Sequence, residues 1–194
     1  QLGVFTKSDD HLETPNLQYH VQPLSLDKFG EPLHPFPAIT ASVCNLRPES
    51  RGYIRITSPD PRSKPAIKPN YLTADTDRQI AANALKLTRK IISSPAMSKY
   101  EPEEYLPGPT VASDEDLTHA AGNIATTIFH PVGTCKMGSD DLAVVNDRLC
   151  VHGLSGVRIA DASIMPTITS GNTNSPTIMI AEKAAAMIKR DAVA

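Results

Sequence analysis

His130 has a sequence setting that suits acid–base chemistry. It lies between Phe129 and the run Pro131-Val132-Gly133, so a constrained backbone is expected to hold its ring in place. Histidine is the usual general base in enzymes because its unperturbed pKa, about 6.5, lies near their operating pH. The alternative is a histidine that is hydrogen-bonded inside a core, and a single histidine does not decide between the two roles.

A second suggestive stretch is the predicted start of the last helix. Proline suits the first turn of a helix and serine suits its cap, so this helix is predicted to begin near Pro176 with Ser175 as the cap. Free N–H groups and the helix dipole favour negative charge at such an end. Asn174 directly precedes these residues, and asparagine is itself a common cap.

Three other kinds of site do not fit the sequence. Gly133 and Gly138 have the glycine spacing of a phosphate-binding P-loop, but Ser139 stands where that loop requires a lysine. No Gly-x-Ser-x-Gly elbow supports serine hydrolysis. A zinc site has four conceivable ligands, whose spacing fits no usual zinc motif, namely His130, Cys135, Cys150 and His152. We therefore expect no metal site.

The elements before His130 are predicted from apolar spacing and from proline. The region up to about Thr110 is rich in proline, which predicts short strands joined by ordered loops. Alternating residues predict strands over 17–21 and 39–46. The turn over 47–52 and the run over 53–56 then predict an antiparallel hairpin with the second strand. Such a sheet can leave one face free to cover something else.

Two helices are predicted between this sheet and His130. The first spans about 75–93, where Thr76 and Gln79 have capping-box spacing and apolar residues form one stripe. The second follows Ser113, whose hydroxyl can cap it, and three acidic residues in its first turn suit the positive end of the dipole. The second helix leads the chain directly to His130.

Beyond His130, the run over 157–160 predicts a buried strand that ends at Asp161. Asp161 and Ala162 would then lie at the carboxyl end of that strand, where α/β sheets usually bind ligands. The alternative role for Asp161 is capping of the next turn. The last helix is apolar nearly all round, which indicates that most of its surface is covered.

Composition limits the class of partner and the compartment. The 194 residues carry a net charge of −2 and no cluster of lysine and arginine, which argues against nucleic acid as the main partner. No apolar run approaches the ~18 residues of a transmembrane span, and no signal peptide is visible. Three cysteines leave one unpaired in any disulfide scheme, which favours a reducing compartment and predicts a cytoplasmic location. Association of the intact protein with a membrane stays open.

Three blocks of the sequence together resemble a known signature. They are FHPVGTCKMG over 129–138, VRIADASIMP over 157–166 and GNTNSPTIMI over 171–180. In residue type, order and spacing they are similar to the C-terminal signature of the glucose–methanol–choline (GMC) oxidoreductases, flavoenzymes that oxidise alcohols. The resemblance is strong from about 117 to 188 and looser from 17 to 107. Bacterial members similar to choline dehydrogenases and alcohol dehydrogenases are the most alike.

The resemblance implies roles for particular residues. His130 would be the catalytic base that faces the flavin. Asn174, at a position that holds histidine or asparagine in the family, would hydrogen-bond the oxygen of the substrate alcohol, since an amide can donate to a developing alkoxide without changing its own charge. The start of the last helix would lie beside the flavin and raise its electron affinity. Five residues would contact the FAD cofactor, namely Asp161, Ala162, Asn172, Ser175 and Thr177.

The resemblance also implies the architecture. No Gly-x-Gly-x-x-Gly occurs in the 194 residues, so the part that holds most of the FAD is expected upstream, and the chain is expected to be the C-terminal portion of a longer enzyme. The implied fold is α+β. Residues 1–140 would form the substrate-binding region, an antiparallel sheet with flanking helices that covers the flavin. A strand–helix segment over 141–194 would complete the upstream FAD-binding domain and the active site.

The implied reaction is oxidation of a primary alcohol to an aldehyde. His130 would take the hydroxyl proton, Asn174 would hold the oxygen, and hydride would leave carbon for the flavin N5. Two alternatives stay open at this point. One is a lyase that keeps FAD only as structure and splits hydroxynitriles with the same histidine, and the other is a folded module that is catalytically inert.

Overall fold

The computed structural model describes residues 2–28 and 30–192. The chain divides into two compact units. Unit 1 consists of Gln1–Gly52 and Pro69–Thr126, and unit 2 consists of Tyr53–Lys68 and Thr127–Ala194. The predicted boundary near residue 140 separates a substrate-binding region from a segment that completes the FAD-binding domain. It divides the chain by function and not by compactness, and it stays a prediction.

Unit 1 is built on a three-stranded antiparallel sheet in the order β1–β2–β3. The strands are β1 (Leu2–Thr6), β2 (Leu17–Gln22) and β3 (Thr40–Asn45), which confirms the strands predicted over 17–21 and 39–46. Tyr19 pairs with Val4 on one side and with Val43 on the other, so these three side chains share a face of the sheet. Leu17 and Tyr19 are almost completely buried, at 0% and 2% exposure, and they centre the core of this unit.

Three helices complete unit 1, namely α1 (Asp75–Ile92), α2 (Pro95–Ser98) and α3 (Asp114–Ile124). The Tyr19 hydroxyl donates to the Ala84 carbonyl of α1 at 3.2 Å, which joins the sheet to this helix. Burial of this hydroxyl raises the pKa of Tyr19 above its ordinary value. Ser113 accepts from the Asp116 N–H at 3.1 Å and caps α3 as predicted.

Two sequence predictions in this region are wrong. The capping box of α1 does not form, because the cap position is Ala74 and the Thr76 hydroxyl donates to Glu49 instead. The hairpin between β3 and the run over 53–56 does not form either. The connecting turn is tied down by Asp77, which is 4% exposed and accepts from the backbone N–H groups of Glu49 at 2.9 Å and Ser50 at 2.8 Å.

Unit 2 contains little regular structure. A two-stranded sheet joins β4 (Tyr53–Arg55) to β5 (Ala66–Lys68), so the run after the turn pairs forward along the chain and not back to β3. The predicted strand over 157–160 is also wrong. Arg158 makes a single bridge to Cys150, flanked by backbone bonds from Val151 to Val157 and from Ile159 to Leu149, and the pairing goes no further among the described residues.

The core of unit 2 packs against α4 (Asn174–Asp191) and a short 3-10 helix over Ala162–Ile164. The fully buried members of this core are Val145, Leu149, Ile164, Met165, Ile180 and Ala184. The remaining apolar surface of α4 is only partly covered within unit 2, since Ile178, Met179 and Ile188 are each about half exposed, at 55%, 51% and 48%. The prediction of an α+β fold with antiparallel sheets and few helices is confirmed.

Candidate active site

The ring of His130 is held by two hydrogen bonds, one at each nitrogen. Its Nδ1 lies 2.8 Å from Thr173 Oγ1, and its Nε2 lies 2.9 Å from Asn172 Nδ2. An amide nitrogen can only donate, so Nε2 is the accepting nitrogen and Nδ1 carries the proton of the neutral ring. The ring is half-buried, Thr173 is buried and Asn172 is exposed. The histidine therefore presents an unprotonated Nε2 on its more accessible side.

Both partners of His130 come from the entrance to α4. The helix begins at Asn174 with Thr173 at the cap position, two residues earlier than predicted, and Ser175 is not the cap. The Thr173 carbonyl accepts from the Thr177 N–H at 3.0 Å and from the Thr177 hydroxyl at 2.6 Å, which fixes the backbone at this point. The start of α4 thus positions the two residues that contact the histidine.

The backbone after His130 is fixed against the segment that contains the 3-10 helix. The Cys135 N–H donates to the Ser163 carbonyl at 3.0 Å, and the Met137 N–H donates to the Ile164 carbonyl at 2.7 Å. Gly133 has a φ of +86°, and a Cβ there would lie 3.2 Å from the Met165 carbonyl oxygen. Glycine is required at this turn because any side chain would be strained in conformation and too close to that carbonyl.

Phe129, immediately before the histidine, has a left-handed backbone with a φ of +64°. Its N–H donates to the Thr127 hydroxyl at 3.1 Å, while its side chain is 64% exposed. A large aromatic residue in this conformation is an outlier that costs about 1–3 kcal/mol, and such strain concentrates at functional sites. Leu149 in the core of unit 2 has the same kind of backbone, with a φ of +65°, so the strain at Phe129 by itself assigns no function to this turn.

The two predicted catalytic residues, His130 and Asn174, both lie in unit 2, but their contacts differ from the expectation. Asn174 is the first residue of α4 and its side chain is exposed. The described ring contacts of His130 go to Thr173 and to Asn172, which was predicted to bind the cofactor. The roles of Asn174 as an oxygen ligand and of Asn172 as a flavin contact stay predictions.

The other four predicted cofactor contacts differ in burial and in the contacts that they make within the chain. Asp161 caps the 3-10 helix by accepting from the Ser163 N–H at 2.8 Å, which is the alternative that the sequence left open. Ala162 packs against the core of unit 2. Ser175 is exposed in the first turn of α4, and Thr177 donates to Thr173 as described above. Binding of FAD by these four residues also stays a prediction.

The entrance to α4 suits a ligand with negative charge. No side chain caps the helix and its first turn carries no acidic residue, so the exposed residues Asn174 and Ser175 present helix N–H groups to an incoming acceptor. An anionic flavin ring fits such a position. None of the carboxylates with a resolved pKa shift in unit 2 belongs to the first turn of this helix, and each lies beside a cation. Arg62 lowers the pKa of Asp60, Lys136 lowers that of Asp140, and Arg158 and then Arg148 lower that of Asp191 at the last residue of α4.

Comparison with known proteins identifies the family. The GMC oxidoreductase family model, which describes the C-terminal domain, matches residues 48–181. The chain belongs to the GMC oxidoreductases. The resemblance of the three blocks is therefore confirmed over more than half of the chain. Members of this family are oxidoreductases that use FAD, and the solved structures with the same fold include an FAD-dependent oxidoreductase from Chaetomium thermophilum at a TM-score of 0.76 and 26% identity.

Two curated relatives show how much of the family's length this chain covers. The oxygen-dependent choline dehydrogenase of Chromohalobacter salexigens is 44% identical over 185 residues, which are 95% of this chain and 33% of that protein. The alcohol dehydrogenase (acceptor) of Pseudomonas putida is 44% identical over 188 residues, which are 97% of this chain and 34% of that protein. The chain thus spans about a third of the length of these relatives.

Solved structures of the family share the fold of nearly the whole chain. Pyridoxine 4-oxidase from Mesorbium loti superimposes with a TM-score of 0.86 at 26% identity, over 97% of this chain and 37% of that one. A fungal aryl-alcohol oxidase gives a TM-score of 0.78 at 27% identity, over 95% of this chain and 29% of that one. These similarities support the family assignment, and they leave the substrate of this GMC oxidoreductase to be argued from its own residues.

Within residues 2–28 and 30–192, no helix is both long and apolar enough to cross a membrane. In the same part of the chain, no group of three or more His, Cys, Asp or Glu side chains is arranged to hold a metal ion.

The sequence interpretation missed Thr173. A threonine directly before a helix is ordinarily interpreted as a capping residue, which is a structural role and not a catalytic one. A partial signal is the proline three residues later, because Pro176 removes one of the two N–H groups that a capping hydroxyl can accept from. The N–H of Ser175 remains, so the sequence alone does not assign the threonine hydroxyl to another partner.

Proposed function

We propose that this chain forms the C-terminal third of an FAD-dependent alcohol oxidoreductase in which His130 is the catalytic base. The observation that carries the proposal is the pair of ring contacts, which leaves Nε2 as the unprotonated nitrogen on the accessible side of the ring. The family membership and the similarity to an alcohol dehydrogenase and to choline dehydrogenases support the reaction class.

In this mechanism the alcohol hydroxyl replaces the Asn172 amide at His130 Nε2. The hydroxyl proton moves to Nε2, and the ring becomes a cation that keeps its second proton on Nδ1. Asn174 donates to the alcohol oxygen as negative charge develops there, which is the role that the family resemblance gives to this position. The carbon–hydrogen bond then breaks with its electron pair, and the aldehyde is released.

When it is bound, FAD supplies the two-electron acceptor for the hydride that leaves the alcohol carbon. The residues of this chain that would hold it are Ser175 and Thr177 at the start of α4, with Asp161, Ala162 and Asn172 from the segments beside it. The open N–H groups of α4 would favour a negative charge on the ring system.

The test is the substitution His130→Ala in the intact flavoprotein. Loss of a general base should lower the rate of flavin reduction by ~100-fold or more at saturating alcohol. Flavin content and thermal stability should stay close to wild type, because the half-buried ring contributes little to the core. A variant that changes only the substrate concentration required for half-saturation would overturn the assignment.

We also propose that an uncharged primary alcohol, aliphatic or aromatic, is preferred over choline. Quaternary ammonium groups are usually held in cages of several aromatic rings. The aromatic residues of unit 2 within the described ranges are Tyr53 and Phe129, and Tyr53 is already in contact with Arg55, whose guanidinium lies 4.4 Å from its ring centroid. Phe129 directly precedes the histidine in the chain.

Comparison of kcat/KM for choline and for neutral alcohols of similar size, with one electron acceptor, tests this preference. We expect the neutral alcohols to have the higher values. A tenfold preference for choline, which corresponds to ~1.4 kcal/mol of transition-state stabilisation, would contradict the proposal.

The 194-residue chain alone should bind FAD weakly or not at all, because it lacks the dinucleotide fingerprint that holds the adenine half. The absorbance of the purified chain after equilibration with FAD and desalting measures this directly. Stoichiometric retention of flavin would overturn the proposal that an upstream part of the protein holds most of the FAD.

A further inference from the structure

We infer that Thr173 is a positioning residue that fixes the protonation pattern of the His130 ring. Its hydroxyl lies 2.8 Å from Nδ1, and the residue is only 8% exposed, so water competes little for this contact. The inference rests on the proposed role of His130 as the base and adds the group that prepares it.

The chemistry of the two contacts decides which tautomer is present. The Asn172 amide nitrogen donates to Nε2, so Nε2 holds a lone pair and the neutral ring carries its proton on Nδ1. The Thr173 hydroxyl oxygen accepts a hydrogen bond from this Nδ1–H group. If the Nδ1 acceptor were removed, the ring could move its proton to Nε2, and a base protonated at the reacting nitrogen is inactive.

The helix does not use this hydroxyl. A threonine at the cap position normally accepts from the N–H of the second or third helical residue. Of these two residues of α4, Pro176 has no N–H and Ser175 keeps one, but no side-chain capping bond is formed at this helix. The Thr173 backbone is held instead by two bonds from Thr177 to its carbonyl. The hydroxyl is thereby held beside the histidine without serving the helix.

The same contact supports the ring after it takes up a proton. Once Nε2 is protonated, both ring nitrogens are donors, and the bond from Nδ1–H to Thr173 becomes charge-assisted. Thr173 therefore favours the base form that reacts and also stabilises the cation that results. A residue that acts in this way changes the rate of proton transfer more than it changes substrate binding.

A double-mutant cycle in the intact flavoprotein separates this role from a structural one. Thr173→Val keeps the shape and removes the acceptor, and we expect it to lower the rate of flavin reduction about tenfold, with the half-saturating alcohol concentration within twofold of wild type. Thr173→Ser should restore the rate to within about threefold. In a His130→Ala background, Thr173→Val should have less than a twofold effect, because its partner is gone.

Each outcome of the cycle has one interpretation. An equal loss from Thr173→Val with and without His130 would show a structural role and overturn the inference. No loss from Thr173→Val beside a large loss from His130→Ala would overturn the inference and leave the base in place. No loss from His130→Ala would overturn the proposed function itself. Thr76→Val is the matched control, since it removes a threonine hydroxyl bond from the first turn of α1, and its rate should equal that of wild type.

Nitrogen NMR of the ¹⁵N-histidine-labelled protein gives a readout that does not depend on turnover. The His130 signals are identified by their loss in His130→Ala. We expect a protonated Nδ1 and an unprotonated Nε2 in the wild type at a pH where the ring is neutral, and a shift towards the other tautomer in Thr173→Val. An unprotonated Nδ1 in the wild type would overturn the inference.

Discussion

The two units of this chain are ordered in different ways. Unit 1 consists of a paired sheet with α1 and α3, and its fully buried residues, such as Leu17 and Leu117, belong to regular elements. Unit 2 has one long helix, and the segments around it are joined by isolated bridges and single backbone bonds. The histidine lies in unit 2. Side chains that must be placed accurately are thus held by individual contacts, and each contact can be tested separately.

The largest expected effect is a loss of stability in the core of unit 1. Leu117 of α3 is 0% exposed, so Leu117→Ala should lower the free energy of unfolding by about 2–5 kcal/mol through lost burial and a cavity. Denaturant titration measures it. Ile124→Ala is the matched control on the same helix, because Ile124 is 42% exposed and should cost far less. Equal losses in the two variants would show that the unit 1 core is not where its stability originates.

The next effect tests the dependence of unit 2 on single contacts. Gly133→Ala places a Cβ 3.2 Å from the Met165 carbonyl and forces a left-handed alanine, so we expect a loss of about 2–3 kcal/mol and a lower rate of flavin reduction. Gly153→Ala has the same kind of backbone, with a φ of +75°, and open space around it. It should cost only about 1 kcal/mol and leave the rate unchanged. Similar rates for the two variants would argue that the turn at Gly133 does not position His130.

The smallest effect concerns pH and the end of α4. Arg158 and then Arg148 lower the pKa of Asp191 below its ordinary value of 3.8. A carboxylate with a lowered pKa stabilises the fold above its ordinary pKa, and that contribution is lost as the pH falls through the lowered value. Asp191→Asn should therefore unfold slightly more easily than wild type at neutral pH. The difference should shrink below the ordinary pKa of 3.8 and disappear as the pH falls through the lowered value.

Thermal unfolding of the two proteins as a function of pH measures this difference. The effect should be small because Asp191 is 39% exposed and salt screens such pairs. Asp147→Asn is a suitable comparison, since Asp147 is an exposed carboxylate of the same unit and no ion pair of it is found among the described residues. A difference that grows as the pH falls would have the wrong sign for this explanation.

In unit 1 the sequence predicted the individual strands and helices better than the connections between them. Alternating residues predicted β2 and β3, and an apolar stripe predicted α1, because each of these patterns arises within one element. The hairpin failed because pairing depends on distant residues: the turn after β3 is held by Asp77, and nothing in the local pattern shows that a buried carboxylate on α1 would do so. The capping box of α1 failed for a related reason, since Thr76 is engaged by Glu49 of that turn.

In unit 2 the motif drew attention to His130 and to the start of α4, and the geometry shows which residues there are in contact. His130 and the start of α4 were identified from type and spacing, and the structure brings them together. It could not be seen from the sequence that Thr173 and Asn172, and not Asn174, contact the ring. Adjacent residues at a helix entrance point in different directions, and a shift of two residues in the predicted helix start changes which of them faces the histidine.

The left-handed backbone of Phe129 has a consequence for laboratory evolution. Glycine at this position would relieve about 1–2 kcal/mol of backbone strain, against an entropic cost of about 0.5–1 kcal/mol, so selection for heat resistance alone should replace the phenylalanine. Selection for turnover should retain an aromatic ring if the ring borders the bound alcohol. Two libraries randomised at this codon, one screened for survival of heating and one for oxidation of alcohol, should therefore enrich different amino acids.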